Sequence, residues 1–212
     1  MKISILGDSI STFAGITTPM GVFYDEATCE RAGIRSAEDT WWMQVIRAMG
    51  GTLEVNNSCA GTTVCGRQAM AGCSDFRTAG LGSPDVILVW MGLNDAAFGL
   101  PLDRFETAYR QMLQKLRYHN PGAEIWCGTF CPGRPTDPDE PLFFSLFNAE
   151  TAIPFDTYSL LIRELAAECG CRAADLWAPR QEYDAMDGVH PDRNGMKTIA
   201  ELWLAGMREA ET

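Results

Sequence analysis

The sequence lacks any hydrophobic run long enough to cross a membrane as a helix. None of its 212 residues falls in an apolar stretch of ~18 residues, the length that a bilayer requires, so we expect no membrane span. Residues 1–6 carry one lysine and only a few apolar side chains, which is too short for the apolar core of a secretory signal. A short buried strand explains this segment better, and we therefore expect a cytoplasmic protein.

Basic residues are also few. Seventeen Lys and Arg residues stand against 28 Asp and Glu residues, which gives a formal net charge of −11. No cluster of basic residues offsets this charge locally, and an acidic surface repels phosphate backbones. The composition therefore argues against a nucleic-acid partner and mildly against strongly anionic substrates.

Histidines and closely paired cysteines are scarce as well. The chain has two histidines and eight cysteines, and no two cysteines have the C-x-x-C spacing of zinc or redox sites. We expect no metal site. Without a secretory signal, we expect the cysteines to be reduced and mostly buried thiols.

What the sequence does contain is a regular alternation of short apolar runs with longer segments of helical periodicity. The run 86–91 is continuously apolar, which is typical of a central parallel strand covered on both faces. The predicted strands are 3–6, 53–55, 86–91, 124–130 and 172–177. The predicted helices run from 39 or 40 to 49 and through 105–116, 158–169 and 196–207. This order predicts an α/β fold with a parallel sheet, in a single domain over 1–212.

Two long segments, about 12–38 and 131–154, have no clear periodicity. Loops of this length in a compact domain are often lids or binding loops. A surface excursion, or a contact within a homo-oligomer, is an equally good interpretation.

Several aromatic side chains are candidates for substrate binding. They are Phe143, Phe144, Phe147, Trp41, Trp42 and Trp90. Such side chains could line an acyl pocket or stack on a sugar, although core and interface positions are their commoner use.

The two histidines have different settings. His119 closes a predicted helix just before Asn120, where a positive charge suits the helix C-terminus, so we expect a structural role. His190 lies three residues after Asp187, in a turn before the last predicted helix. A carboxylate at this spacing can bind one ring nitrogen, fix the tautomer and stabilise the imidazolium. Asp187 and His190 are therefore a candidate catalytic pair, with an ordinary turn as the alternative.

A nucleophile for this histidine follows the first predicted strand. Parallel-sheet enzymes place their chemistry at the carboxyl ends of strands, and Ser9 stands there in the sequence Gly7-Asp8-Ser9-Ile10-Ser11. The G-x-S-x-G elbow of the common α/β-hydrolases is absent, because Ser11 occupies its last position. By itself, a serine at this point is also well explained as a helix cap.

Two other strand ends offer hydrogen-bond donors. Acyl transfer needs donors aimed at the oxygen on which negative charge develops. Gly61 follows the second predicted strand and could present its backbone N–H, while Asn94 follows the central strand and could present its side-chain amide. Both residue types are common in loops, so their order along the chain carries more weight than either residue alone.

In four blocks the sequence resembles the GDSL-type esterases, or SGNH hydrolases, whose marker residues are Ser, Gly, Asn and His. The blocks are Gly7-Asp8-Ser9-Ile10, Gly61, Gly92-Leu93-Asn94-Asp95 and Asp187-Gly188-Val189-His190. Ile10 replaces the leucine of the first block, a conservative departure that leaves the nucleophile unchanged. Four blocks in order, spread over most of the chain, are far more specific than any single block.

The resemblance implies a three-layer α/β/α sandwich around a five-stranded parallel sheet, the flavodoxin-like fold of SGNH hydrolases. It implies Ser9 as the nucleophile, His190 as the general base and Asp187 as the partner of the histidine. These three residues would form a catalytic triad.

The same resemblance implies an oxyanion hole formed by Ser9, Gly61 and Asn94. Asp8 and Asp95 would take supporting positions beside these residues. The family needs neither a metal nor an organic cofactor, and its partner is a small-molecule ester.

Three functions fit these residues. The first is hydrolysis of small carboxylic esters, including O-acetyl groups on carbohydrate. The second keeps the triad but acts on acyl thioesters or lysophospholipids, and the third is a non-catalytic binding protein on a hydrolase scaffold. A metallophosphoesterase with Asp8, Asn94, Asp95 and His190 as ligands is disfavoured, because dinuclear sites of that type usually draw on several histidines.

Overall fold

The computed structural model describes residues 1–17, 21–137, 139 and 155–210. The strands are β1 (Lys2–Gly7), β2 (Thr52–Asn56), β3 (Val86–Trp90), β4 (Glu124–Gly128), β5 (Gly133–Pro135), β6 (Arg172–Ala174) and β7 (Tyr183–Ala185). The helices are α1 (Glu26–Ala32), α2 (Trp41–Ala48), α3 (Asp75–Ala79), α4 (Leu93–Ala97), α5 (Leu102–His119), α6 (Phe155–Glu168) and α7 (Arg193–Glu209). Short 3-10 turns lie at Ser9–Ser11 and Ala37–Asp39.

Five strands form one parallel sheet in the order β2-β1-β3-β4-β6. The register between β1 and β3 is unbroken, from Ile3 opposite Val86 to Gly7 opposite Trp90. The five-stranded parallel sheet predicted from the sequence is therefore confirmed. β4 and β6 end earlier than the predicted strands 124–130 and 172–177. In both places the backbone leaves the hydrogen-bonded sheet and turns at its edge.

Helices cover both faces of the sheet, which confirms the predicted α/β/α sandwich. β3 is buried along its whole length, and its successive side chains point to opposite faces. Leu88 joins the core that α2 and α7 cover, while Ile87 joins the core that α5 and α6 cover. This two-sided burial explains why the run 86–91 contains no polar residue.

Helix α2 begins directly after Thr40, one of the two residues predicted to cap it. The Thr40 hydroxyl accepts the backbone N–H of Met43, which satisfies a donor of the first turn. Helices α5, α6 and α7 each begin a few residues before the apolar stripe from which the helix was predicted. The first turns of α5 and α7 are mainly polar, so they do not belong to the periodic stripe.

The two segments predicted as long loops differ in the structure. The first contains α1, a seven-residue helix capped by the Asp25 carboxylate at one end and by the left-handed Gly33 at the other. The second begins with β5, which pairs with β7 in a separate two-stranded sheet. Residues 138 and 140–154, with Phe143, Phe144 and Phe147, lie outside the described residues.

The three tryptophans named as candidates lie in the core, the commoner of the two uses considered for them. Trp41 stacks on Trp203 with ring centroids 5.2 Å apart, and Trp90 meets Trp41 edge to face. Trp41 and Trp42 are fully buried between α2, α7 and the sheet, so they do not form a platform for a sugar. Packing explains Trp41 and Trp42, whereas Trp90 packs in the core and also lines a small slot beside Ile10.

All eight cysteines are free thiols, six of them buried. Burial raises the pKa of the Cys171 thiol to about 11, which keeps this side chain protonated and unreactive. Among the described helices, none has the length and apolar character that crossing a membrane requires.

Candidate active site

The sheet order brings three predicted site segments to one edge. β1 lies between β2 and β3, so the residues that follow these strands meet at their carboxyl ends. Ser9 follows β1, Gly61 lies in the loop after β2, and Asn94 lies at the start of α4 after β3. The fold therefore places the serine, glycine and asparagine blocks side by side.

A sharp turn after β1 presents Ser9. The 3-10 turn Ser9–Ser11 begins at Asp8, whose carboxylate accepts the backbone N–H of Ile10 at 3.3 Å. A Cβ atom at Gly7 would lie 2.4 Å from the Ser11 hydroxyl oxygen, so only glycine allows the turn to close this tightly. This tight turn holds Ser9 in a buried position, where the residue is only 5% exposed.

The turn before α7 brings a histidine and a carboxylate to this serine. His190 Nε2 lies 2.9 Å from Ser9 Oγ, and His190 Nδ1 lies 2.6 Å from Asp187 Oδ2. The other oxygen of Asp187 accepts the backbone N–H groups of Val189 and His190, at 3.0 and 2.7 Å. The structure thus connects the three residues predicted as a triad in one hydrogen-bonded chain.

The environment of Asp187 favours its charged form. Burial opposes ionisation of this carboxyl, but its hydrogen bond to the His190 ring, the charge of that ring and the two backbone N–H groups together lower its pKa below the ordinary value. A carboxylate in this state can hold Nδ1 as a donor and stabilise a positive imidazolium.

Two buried tyrosines hold the turn that carries His190. The Tyr183 hydroxyl donates to the Val189 carbonyl oxygen at 2.6 Å, and the Tyr24 hydroxyl donates to the Pro191 carbonyl oxygen at 2.8 Å. Tyr24 and Tyr183 lie far from each other in the sequence, so no local motif identified them.

Phe23 is a further residue of the site that the sequence did not indicate. Its ring stacks on the His190 ring with centroids 3.7 Å apart and planes 13° apart. The Phe23 backbone N–H donates to the Thr12 hydroxyl, which donates in turn to the Ser9 carbonyl oxygen. The first long segment therefore covers one face of the imidazole and is fastened to the turn that carries the serine.

Three hydrogen-bond donors remain available near the serine. The backbone N–H groups of Ser9 and Gly61 donate to no acceptor among the described residues. One hydrogen of the Asn94 amide donates to the Thr62 carbonyl oxygen at 2.8 Å, which orients the group and leaves its second hydrogen for another acceptor. Gly61 has a φ of +71°, in the left-handed region that favours glycine.

Asp95 holds the loop that contains Gly61. Its carboxylate accepts the backbone N–H groups of Val64 and Cys65 at 2.8 and 3.0 Å. Burial raises the pKa of Asp95, against the effect of these hydrogen bonds. The predicted supporting position of Asp95 thus corresponds to a structural contact with the glycine loop.

Asp8, the second predicted supporting residue, is a buried carboxyl beside the serine. Burial raises its pKa to about 6, although the Ile10 N–H and the nearby charges of His190 and Arg77 act in the opposite direction. Asp8 and Asp187 therefore share one site but have opposite preferences for charge.

A buried arginine joins the serine strand to the glycine loop. Arg77 is fully buried, and its guanidinium donates to the Gly7 carbonyl oxygen at 2.7 Å and to the Thr62 hydroxyl at 3.2 Å. It also donates to the Met70 carbonyl oxygen at 2.6 Å. Burial lowers its pKa to about 10, so it stays charged at neutral pH. We see no sequence signal that distinguishes Arg77 from a surface arginine.

Two spaces adjoin these residues. A narrow slot lined by Asp8, Ile10, Trp90, Leu93 and Phe130 has a volume of about 10 Å³, roughly the room that one water molecule needs. An open groove of about 650 Å³ begins at Gly61 and extends to α5. The site therefore has one narrow apolar side and one wide side.

The residues proposed as ligands of a metallophosphoesterase have other partners. Asp95 binds two backbone N–H groups, and His190 lies between Ser9 and Asp187. Within residues 1–17, 21–137, 139 and 155–210, no three His, Cys, Asp or Glu side chains are grouped to hold a metal ion. The second histidine, His119, ends α5 as predicted and lies 3.7 Å from Asp75.

Comparisons with known proteins show the family and the fold of the chain. Residues 1–130 match the family model of the GDSL-like lipases and acylhydrolases. A protein named as a GDSL-like lipase from Bacteroides ovatus is 25% identical, with 98% of both chains covered and a TM-score of 0.75. Another from Bacteroides uniformis is 26% identical, with 98% of this chain and 95% of that chain covered and a TM-score of 0.69.

A carbohydrate acetylesterase family member from Sinorhizobium meliloti is similar in fold. It is 20% identical, with 99% of both chains covered and a TM-score of 0.68, and at this identity the likeness concerns the fold alone. No curated protein is significantly similar to the chain in sequence.

Proposed function

Because the chain belongs to the GDSL-like lipase/acylhydrolase family, we propose that it hydrolyses small carboxylic esters through an acyl-enzyme at Ser9. The observation that carries this proposal is the hydrogen-bonded chain from Ser9 Oγ through the His190 ring to Asp187, at 2.9 and 2.6 Å. A serine is a weak nucleophile unless a positioned base takes its proton, and this chain supplies the base and the group that orients it.

In the first half of the proposed reaction, Ser9 Oγ attacks the carbonyl carbon of the ester as its proton passes to His190 Nε2. The tetrahedral intermediate then collapses, the bond to the alcohol oxygen breaks, and the imidazolium returns its proton to that oxygen. In the second half a water molecule gives its proton to His190 and attacks the acyl carbon. The acid is released and Ser9 regains its proton.

The negative oxygen of both intermediates needs donors that are already in place. We assign this task to the backbone N–H groups of Ser9 and Gly61 and to the second hydrogen of the Asn94 amide. Because Thr62 already binds the first hydrogen, the amide needs little rearrangement when charge develops. A single donor of this kind contributes about 3 kcal/mol to lowering the barrier.

The two spaces beside the site support a substrate with a short acyl group. The slot lined by Asp8, Ile10, Leu93 and Phe130 has no room for a long chain. The groove is wide enough, but Arg67, Gln68 and Gln111 line it with polar groups, which suits a polar alcohol better than a fatty chain. These features favour small esters, O-acetylated carbohydrate among them, over lysophospholipids.

The non-catalytic alternative receives less support. A retired hydrolase scaffold has no need to keep a serine, a histidine and a carboxylate at hydrogen-bond distance. Binding alone would not require the lowered pKa of Asp187 either, since that carboxylate serves the imidazole.

The proposal is tested with Ser9→Ala and with a fluorophosphonate probe. We expect Ser9→Ala to lower the hydrolysis of a phenyl acetate by several orders of magnitude while the protein stays folded. The matched control is Ser11→Ala, which removes a buried hydroxyl whose oxygen has no hydrogen-bond partner among the described residues. The probe should label wild type and Ser11→Ala but not Ser9→Ala. Equal turnover or equal labelling of the two variants would contradict the assignment.

A further inference from the structure

The groove that begins at Gly61 carries positive charge in an otherwise acidic protein. Its lining includes Arg67, from the loop after the glycine block, and Arg104, from the first turn of α5. Asp103 is the one carboxylate in the part of the lining that the structure describes. The charges of the groove therefore sum to about +1, while the whole chain has a formal charge of −11.

The two groove arginines also differ from many others in the chain. Arg110, Arg134 and Arg193 each form an ion pair with a carboxylate. Arg67 and Arg104 are exposed and form no ion pair with any residue of the described ranges. Their guanidinium groups are therefore available to a ligand in the groove.

We propose that this groove is a subsite for a carboxylate on the alcohol part of the ester. The inference rests on the proposed esterase function and names the substrate class of the same site. A guanidinium binds a carboxylate through two parallel hydrogen bonds, a geometry that water does not reproduce.

The groove suits the alcohol part rather than the acyl part. The alcohol leaves first, and an open groove gives it a path to solvent while the acyl group is still bound to Ser9. The slot beside Asp8 and Ile10 is small and mainly apolar, so an acyl group placed toward it must be short.

The charge of the whole protein does not oppose this subsite strongly. At physiological ionic strength, charges further away than about 8 Å are largely screened, so the nearby arginines dominate what an anion in the groove experiences. The net charge of the whole surface mildly disfavours anionic substrates, but this effect does not extend to the groove.

The first experiment compares 4-acetoxybenzoate with 4-acetoxybenzamide, two acetyl esters that differ only in the charge of the alcohol part. For wild type we expect kcat/KM to be about tenfold higher for the benzoate at physiological ionic strength, and the ratio to fall as NaCl is raised toward about 1 M. In the double variant Arg67→Gln/Arg104→Gln the ratio should fall to about one. The matched control Arg208→Gln, near the end of α7, should keep the wild-type ratio and rate.

A second experiment measures binding without turnover. Ser9→Ala is titrated with the products 4-hydroxybenzoate and 4-hydroxybenzamide, and binding is followed by NMR shift changes. The benzoate should bind about tenfold more tightly, and adding Arg67→Gln/Arg104→Gln to this variant should abolish the difference.

The two experiments separate failure of the subsite from failure of the proposed function. If wild type hydrolyses both esters with equal kcat/KM, or if the double variant keeps the preference, the subsite is refuted and the esterase function stands. If neither ester is hydrolysed but 4-hydroxybenzoate binds through the arginines, the subsite stands and the esterase function fails.

Discussion

Replacing Asp8 by Asn should stabilise the protein, although Asp8 belongs to the first block of the site. The folded protein keeps this carboxyl buried, and burial raises its pKa from 3.8 to about 6. An asparagine oxygen can still accept the backbone N–H of Ile10, so the cap of the serine turn is retained. The substitution therefore removes a buried charge at neutral pH with little change in the hydrogen bonds.

The magnitude and its pH dependence follow from the two pKa values. Below about pH 3.8 Asp8 is protonated in both states, and its ionisation does not affect stability. Above about pH 6 it is ionised in both states, and the folded state bears the full cost of the buried charge, about 3 kcal/mol. The free energy of unfolding of Asp8→Asn should thus exceed that of wild type by about 3 kcal/mol at pH 8 and by roughly half as much at pH 5.

Urea unfolding followed by tryptophan fluorescence at several pH values between 4 and 8 measures this difference. Asp187→Asn is the matched control, because it is another buried carboxyl of the same site whose pKa is lowered instead of raised. Its contribution to stability is present above the unfolded pKa, so this variant should lose stability relative to wild type at pH 8 and lose less at low pH. A stability difference for Asp8→Asn that is negative, or that does not change with pH, would refute the account of Asp8.

Two further predictions concern activity. Phe23→Leu should lower kcat for a short acetyl ester by about tenfold while Phe23→Tyr keeps it, because the stacked aromatic face holds the His190 ring in place. A wild-type kcat in Phe23→Leu would contradict this role. Dialysis against EDTA should leave the rate unchanged, since the described residues offer no grouped metal ligands; a loss that a divalent ion restores would favour the metallophosphoesterase instead.

The layers of the fold were predictable because they depend on local patterns. The run 86–91 could be recognised as a central strand from its continuous apolar character, and the stripe in 105–116 as a helix from its period. The small elements were not predicted. β5 and β7 are three residues long and α3 is five, so each is too short to show a period of its own.

The candidate site was predictable to the extent that its residues occur in short blocks. Ser9, Asn94 and the pair Asp187 and His190 each lie directly after a strand or before a helix, and parallel strands bring such positions to one edge. Their roles in catalysis stay a prediction, which the variants above test. What the structure adds is the distance between them.

The residues that surround the site were not predictable, because they act through contacts distant in sequence. Phe23 reaches His190 across 167 positions, and Arg77 reaches Gly7 across 70. An isolated phenylalanine in an irregular segment, or an isolated arginine in a short helix, carries no local sign of such a contact. Only the assembled fold shows which of the many aromatic and charged side chains serve the site.

Asp8 and Asp187 show how two buried carboxyls of one site can differ in their preference for charge. Both carboxyls lie near His190, and burial opposes the ionisation of each. The fold separates them: hydrogen bonds keep Asp187 ionised against its burial, whereas Asp8 has too few such bonds and its pKa rises to about 6. Near neutral pH both carboxyls are ionised, but Asp187 is the one hydrogen-bonded to the imidazole, so it is the carboxylate that we expect to support proton transfer. Removing the charge of Asp8 should stabilise the protein, whereas removing the charge of Asp187 should destabilise it. The two Asp→Asn variants should therefore change the free energy of unfolding in opposite directions.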